Sequence, residues 1–169
     1  VPKASCRAAD RVTEEPAGAS TRTSRVIGAG QDEIYAAFMD PAALVAWLPP
    51  SEMTGEIHEF DARVGGGYRM SLLYPPTERA FRGKTTARED MLTVRFVELV
   101  PPRRIVETAR FHTTDPSLLG EMTIVATFEP VPGGTDVTLL CKNLPPGVRP
   151  EDNEAGSRLS LEQLARRFE

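Results

Sequence analysis

The chain has 169 residues, 40% of them hydrophobic, and a formal net charge of −4. That length and apolar fraction fit one domain able to bury roughly two-thirds of its unfolded surface without staples. The acidic balance argues against a nucleic-acid binder, whose phosphate contacts need a clustered excess of Lys and Arg.

The longest uninterrupted apolar run, Ala42 to Leu48, is far short of the ~20 residues of a membrane span, so no membrane association is expected. Cys6 and Cys141 imply no disulfide framework and point to a reduced, cytoplasmic setting. Residues 1–20 lack periodicity and the apolar core of a secretory signal, and Glu14 and Glu15 count against an organelle-targeting peptide. They are expected to form a disordered leader ahead of one domain over residues 21–169.

The first strand is expected over Thr23 to Ala29, ended by glycines. A helix follows from Gln31, with Ile34, Tyr35 and Phe38 on one face and Asp32 and Glu33 in the first turn, where carboxylates complement the helix dipole. Asp40-Pro41 reads as an N-cap with proline at the first helical position, opening a short helix that Pro49 and Pro50 stop. Met53 to Asp61, the glycine run Gly65 to Gly67 and Tyr68 to Tyr74 make a hairpin. Pro75 to Asp90 is polar and long for a plain connection, which marks it as a candidate gating loop.

Leu92, Val94 and Phe96 alternate toward Pro101-Pro102, a turn, and Ile105 to His112 returns as the next strand. After a loop to Gly120, Met122, Ile124, Ala126 and Phe128 alternate with polar or smaller residues, as do Val137, Leu139 and Cys141. The chain ends in a long helix with Leu161, Leu164, Ala165 and Phe168 on one face. The order is strand, two helices, six strands and a long helix laid on an antiparallel sheet: an α+β fold.

Few residues suggest chemistry. Gly65 to Gly67 follows a strand and precedes another, so it lacks the helix N-terminus of a phosphate loop and reads as a turn. His58 and His112 stand in different strands without ligand-spaced neighbours, so neither a metal nor a cofactor is expected. No nucleophile-elbow motif occurs, and Cys141 reads as a buried, inert thiol. If Ile105, Ala109 and Phe111 face inward, alternation turns Glu107 inward as well, where Arg69, Arg95 or His112 would have to partner it. A bulge would instead leave Val106 inside and Glu107 in solvent. Traced back from Leu161, the apolar stripe of the last helix reaches Ser157 and Glu154, a polar end. Trp47 and Phe38 read as core residues before ligand platforms.

Several segments together carry a resemblance: Asp40-Pro41 to Trp47, FDARVGGGYRM, RFVELVPPRRIVE, the DP…GEM stretch, GGTDVTLL and the ending PEDNEAGSRLSLEQLA. Over Thr23 to Glu169 the chain resembles the START/polyketide-cyclase-like (SRPBCC) superfamily, in the branch similar to the C-terminal domain of the heat-shock protein 90 ATPase activator. The resemblance implies a helix-grip fold of the birch-pollen-allergen type, a curved antiparallel sheet around the C-terminal helix with a cavity that in many members takes a hydrophobic small molecule. The activator's separate N-terminal domain has no counterpart in the leading residues.

On this fold the expected cavity lining from the helices is Trp47, Ser157, Leu161 and Leu164. From the strands it is Arg69, Met70, Phe96, Glu107, Met122, Ile124 and Leu139. The expected function is binding of a small, mostly hydrophobic molecule without a cofactor, by a monomer or a homodimer. Two alternatives stay open: a chaperone-activator-like module with a protein partner, and a cyclase- or hydrolase-type enzyme using Glu107 with His112 or an arginine.

Overall fold

Local sequence chemistry fixes each element of the computed structural model, which describes residues 18–50, 52–75 and 89–169. β1 (Ala19–Ile27) begins four residues before the expected strand and takes in two residues of the expected leader. α1 (Gln31–Met39) starts at Gly30, whose amide donates to the Glu33 carboxylate at 3.0 Å. α2 (Pro41–Trp47) has the expected cap, Asp40 Oδ1 accepting from the Ala42 amide at 3.0 Å.

The six further strands are β2 (Thr54–Asp61), β3 (Gly67–Leu73), β4 (Glu89–Val100), β5 (Arg104–Phe111), β6 (Met122–Val131) and β7 (Gly134–Leu144). α3 (Pro150–Arg166) closes the chain. Glu89 and Asp90, expected in a loop, open β4; the rest of the candidate gate, residues 76–88, lies outside the described residues. The connection before β6 holds a single 3₁₀ turn, Pro116–Leu118, with Leu118 in the core.

All seven strands form one antiparallel sheet in the order β1-β7-β6-β5-β4-β3-β2. The chain's first two strands are therefore its opposite edges, and hairpins run inward from β2 to β7. Gly67 sits where an added Cβ would overlap the Val94 carbonyl oxygen, so only glycine allows β3 to start against β4. On the inner face Ile105, Ala109, Ala126, Phe128, Val137 and Leu139 join one core with Leu161 and Leu164 of α3 and Trp47 of α2. No helix is long and apolar enough to cross a membrane among the described residues.

α3 lies closest to β1 and also touches β7 and α2, while α2 packs on β2. Three hydrogen bonds lock α3 to the end of α2. The Ser160 hydroxyl donates to the Leu48 carbonyl at 2.6 Å, and the Gln163 amide donates to the Trp47 carbonyl at 3.0 Å and the Pro49 carbonyl at 2.5 Å. These carbonyls belong to the last turn of α2 and the residues after it, which have no helical partner of their own.

Leu164, fully buried, is expected to cost about 2–5 kcal/mol when cut to Ala. Gln163→Leu is expected to cost about 1–3 kcal/mol, because it strands two carbonyl acceptors. Urea denaturation of each variant measures both values, and a neutral Leu164→Ala would place the helix outside the core.

Candidate functional site on the inner face under the last helix

The centre of the sheet carries one carboxylate on its inner side. Ile105 and Ala109 are buried in the core cluster and Phe111 packs against it, so alternation along β5 puts Glu107 on the same face. Val106 is buried as well, but opposite Val125 and outside that cluster, so it belongs to the outer face. A bulge exists in this pairing, between Phe96 and Glu98 of β4, and it leaves β5 in phase.

Glu107 is surrounded by protein atoms yet keeps some accessible surface, and Ile124, its neighbour across β6, is also only partly buried. Phe96 on its other side is 1% exposed. Among the described residues Glu107 has no hydrogen-bond or ion-pair partner. Burial without a partner pushes its carboxyl up to about 7 from an ordinary 4.5, because the charged form loses hydration that nothing replaces. Burial also raises the Tyr68 hydroxyl well above its usual range, with the Glu107 charge adding to the effect.

None of the three expected partners reaches this carboxyl. Tyr68 and Met70 are buried inward, so Arg69 between them points outward and pairs with Glu59 at 3.6 Å. Arg95, between inward Val94 and Phe96, is exposed on the outer face by the same alternation. His112 is exposed, with Nε2 against the Thr93 hydroxyl, again on the outer side. The Glu107–His112 acid–base pair is thus not formed, and Arg69 does not line the inner face.

The other expected lining residues lie on the inner side in two groups. Phe96 and Ile124 are the cross-strand neighbours of Glu107, Met122 lies diagonal to it, and Met70 and Leu139 stand two strands away on the same face, in one core with Leu161 and Leu164 of α3. Trp47 is sealed in the core at 1% exposure, its indole N–H donating to the Ala37 carbonyl at 2.9 Å and its ring 4.6 Å from that of Phe38. Ser157 is partly buried on the sheet side of α3, while Glu154 is exposed and pairs with Arg158 at 3.4 Å.

A polar cluster escaped the sequence reading. The Thr21 hydroxyl donates to the Asn153 side-chain carbonyl, and Thr21, Asn153 and Ser157 lie beside the Cys141 thiol. Burial still pushes that thiol up, so Cys141 is the unreactive group its sequence context implied. The signal was present in part: Asn153 stands four residues before Ser157 on the helical stripe. Thr21, in contrast, meets Cys141 only through the β1–β7 register. The described residues contain no group of three His, Cys, Asp or Glu able to hold a metal ion.

A curved antiparallel sheet closed by a C-terminal helix is the helix-grip architecture of the SRPBCC superfamily. The chain belongs to the family described as activator of Hsp90 ATPase homolog 1-like protein, whose model matches residues 29–169. Protein CV1439 from Chromobacterium violaceum has the same fold at 35% identity and a TM-score of 0.78, over 88% of this chain and 96% of that one. Mll3558 protein from Rhizobium loti is 26% identical with a TM-score of 0.68, over 88% and 95% of the two chains. A protein from Rhodobacter sphaeroides shares the fold at 22% identity and a TM-score of 0.70, over 89% and 93%. No curated protein matches the chain.

Glu107 makes stability depend on pH in a definite direction. Its folded-state value lies above the unfolded one, so the folded protein binds this proton more tightly. The resulting stabilisation is complete below 4.5 and is lost as pH rises to about 7. With about 1.4 kcal/mol per pH unit at most, that window is worth a few kcal/mol. Relative to Glu107→Gln, the parent is expected to lose melting temperature between about pH 5 and about pH 8. Parallel curves for the two proteins would place the carboxylate in water.

Proposed function

We propose that the protein binds a small, mostly apolar molecule between the inner face of the sheet and α3, with Glu107 as its polar anchor. The observation that carries this reading is a carboxyl enclosed by core residues, without a partner among the described residues, that still keeps accessible surface beside a partly exposed Ile124. Packed cores do not leave a lone carboxyl facing open space unless water or a ligand satisfies it. The ligand's apolar part lies against Ile124, which keeps accessible surface, and a hydroxyl or amine hydrogen-bonds Glu107. No cofactor takes part, and the unreactive Cys141 suits a reducing, cytoplasmic setting.

The family description favours a second reading, an activator-like module that contacts a protein partner. Acceleration of an Hsp90 ATPase by the purified chain would support this role, and an unchanged rate would remove it.

Small molecules that co-purify with the protein, identified by mass spectrometry, test the first reading directly. Glu107→Leu is expected to melt no lower than the parent, since an apolar side chain replaces a costly buried carboxyl. It should nevertheless lose about tenfold or more in affinity for a hydroxyl-bearing ligand, with Glu107→Gln falling between. Equal affinity of parent and both variants would remove Glu107 from the site.

A further inference from the structure

The register of the sheet draws a single line through the site. Thr21, Cys141, Ile124, Glu107 and Phe96 are successive cross-strand partners on β1, β7, β6, β5 and β4, and all lie on the inner face. Two polar ends therefore flank one apolar residue. At one end stands the unpartnered Glu107 carboxyl. At the other, the Thr21 hydroxyl donates to Asn153, and both lie with Ser157 beside Cys141, the cross-strand partner of Thr21.

The two ends differ in chemistry. Thr21 occupies the Asn153 oxygen, which leaves the Asn153 N–H groups and the Ser157 hydroxyl as donors beside a thiol that is only a weak acceptor, so they favour an oxygen acceptor on a ligand. The Thr23 hydroxyl, one inward position further along β1, is buried without a partner and adds to the unspent polar capacity here. Glu107 is the opposite case: as a carboxylate it offers acceptors alone, so it selects a donor. Cys141 and Glu107 are two strands apart, a separation of about 9–10 Å between their backbones.

Building on the ligand-site reading above, we infer that the ligand is bipolar: an elongated, apolar body with a hydroxyl at the Glu107 end and a carbonyl oxygen at the Asn153–Ser157 end. Ile124, partly exposed midway, supplies the contact for the apolar body. A molecule with one polar group would satisfy one end only and leave the other desolvated against carbon.

Three fluorescent naphthalenes test this with the full chain: acetylnaphthol, with hydroxyl and acetyl at opposite ends of the fused rings, naphthol, and acetylnaphthalene. Titration is expected to show acetylnaphthol binding about tenfold tighter than either single-function probe. Glu107→Leu should abolish the contribution of the hydroxyl and spare that of the acetyl. Asn153→Asp, which keeps the oxygen that accepts from Thr21 but removes the N–H donors, should do the reverse, and Ser157→Ala should weaken the acetyl contribution in a milder change. Equal binding of all three probes overturns the bipolar ligand while leaving an apolar site in place. A tenfold advantage that neither Glu107→Leu nor the Asn153 and Ser157 variants diminish also overturns it. Failure of every probe to bind removes the ligand site itself and this inference with it.

Discussion

The fold depends on a latch between two helices that belong to opposite edges of the sheet. α2 rides on β2, one edge, and α3 rides on β1, the other. Twist and the irregularities in three strand pairs bend the seven-stranded sheet, and a contact between the helices on its two edges holds it closed over its apolar face. Ser160 and Gln163 of α3 make that contact by donating to three carbonyls at the end of α2, which Pro49 and Pro50 prevent from continuing as a helix. The prolines thus create the acceptors that the last helix uses. Leu161 and Leu164, adjacent on the same stripe, bring the apolar contact that makes the latch stable.

Closing the sheet this way encloses whatever side chains its central strands turn inward. Most are Ile, Val, Leu, Ala and Phe, and their burial is ordinary hydrophobic gain. Glu107 is enclosed by the same geometry and against its own solvation preference. Its carboxyl rises to about 7 through burial alone, with no cation to offset it. The same closure raises Tyr68 and Cys141, and the Glu107 charge adds to both shifts. Burial is the main cause of both, and the Glu107 charge is the smaller addition.

Much of this was legible in the residue pattern. Period-two alternation placed Glu107, Ile124, Leu139 and Cys141 inward, and the same rule excludes Arg69 and His112 once applied to their own strands. Arg69 stands between inward Tyr68 and Met70, and His112 follows inward Phe111, so neither can share a face with Glu107. Register was not legible: that Thr21 meets Cys141 depends on the first strand crossing to pair with the last, a contact more than a hundred residues apart in sequence. The last helix shows a finer limit. Its stripe, extended backward, can step three or four residues, and the step of four to Asn153 is the one that faces the sheet while Glu154 turns to Arg158. Ser160 and Gln163 also sit at polar positions on an otherwise apolar stripe, and their partners become evident only once α2 is placed beside them.

The isolation of Glu107 separates two kinds of chemistry. Acid–base catalysis needs a second group within hydrogen-bond reach, to take or return the proton that the first one moves. The imidazole and both guanidinium groups that could fill this role are on the far side of the sheet, and Cys141 is held as a thiol by burial. A lone carboxyl near neutrality can still do one thing well. It accepts from a ligand hydroxyl when ionised and donates to a ligand oxygen when protonated, so it holds a polar group in an apolar site in either state. Among the described residues no second ionisable side chain stands within hydrogen-bond reach of this carboxyl, so the role its position supports is that of a polar anchor.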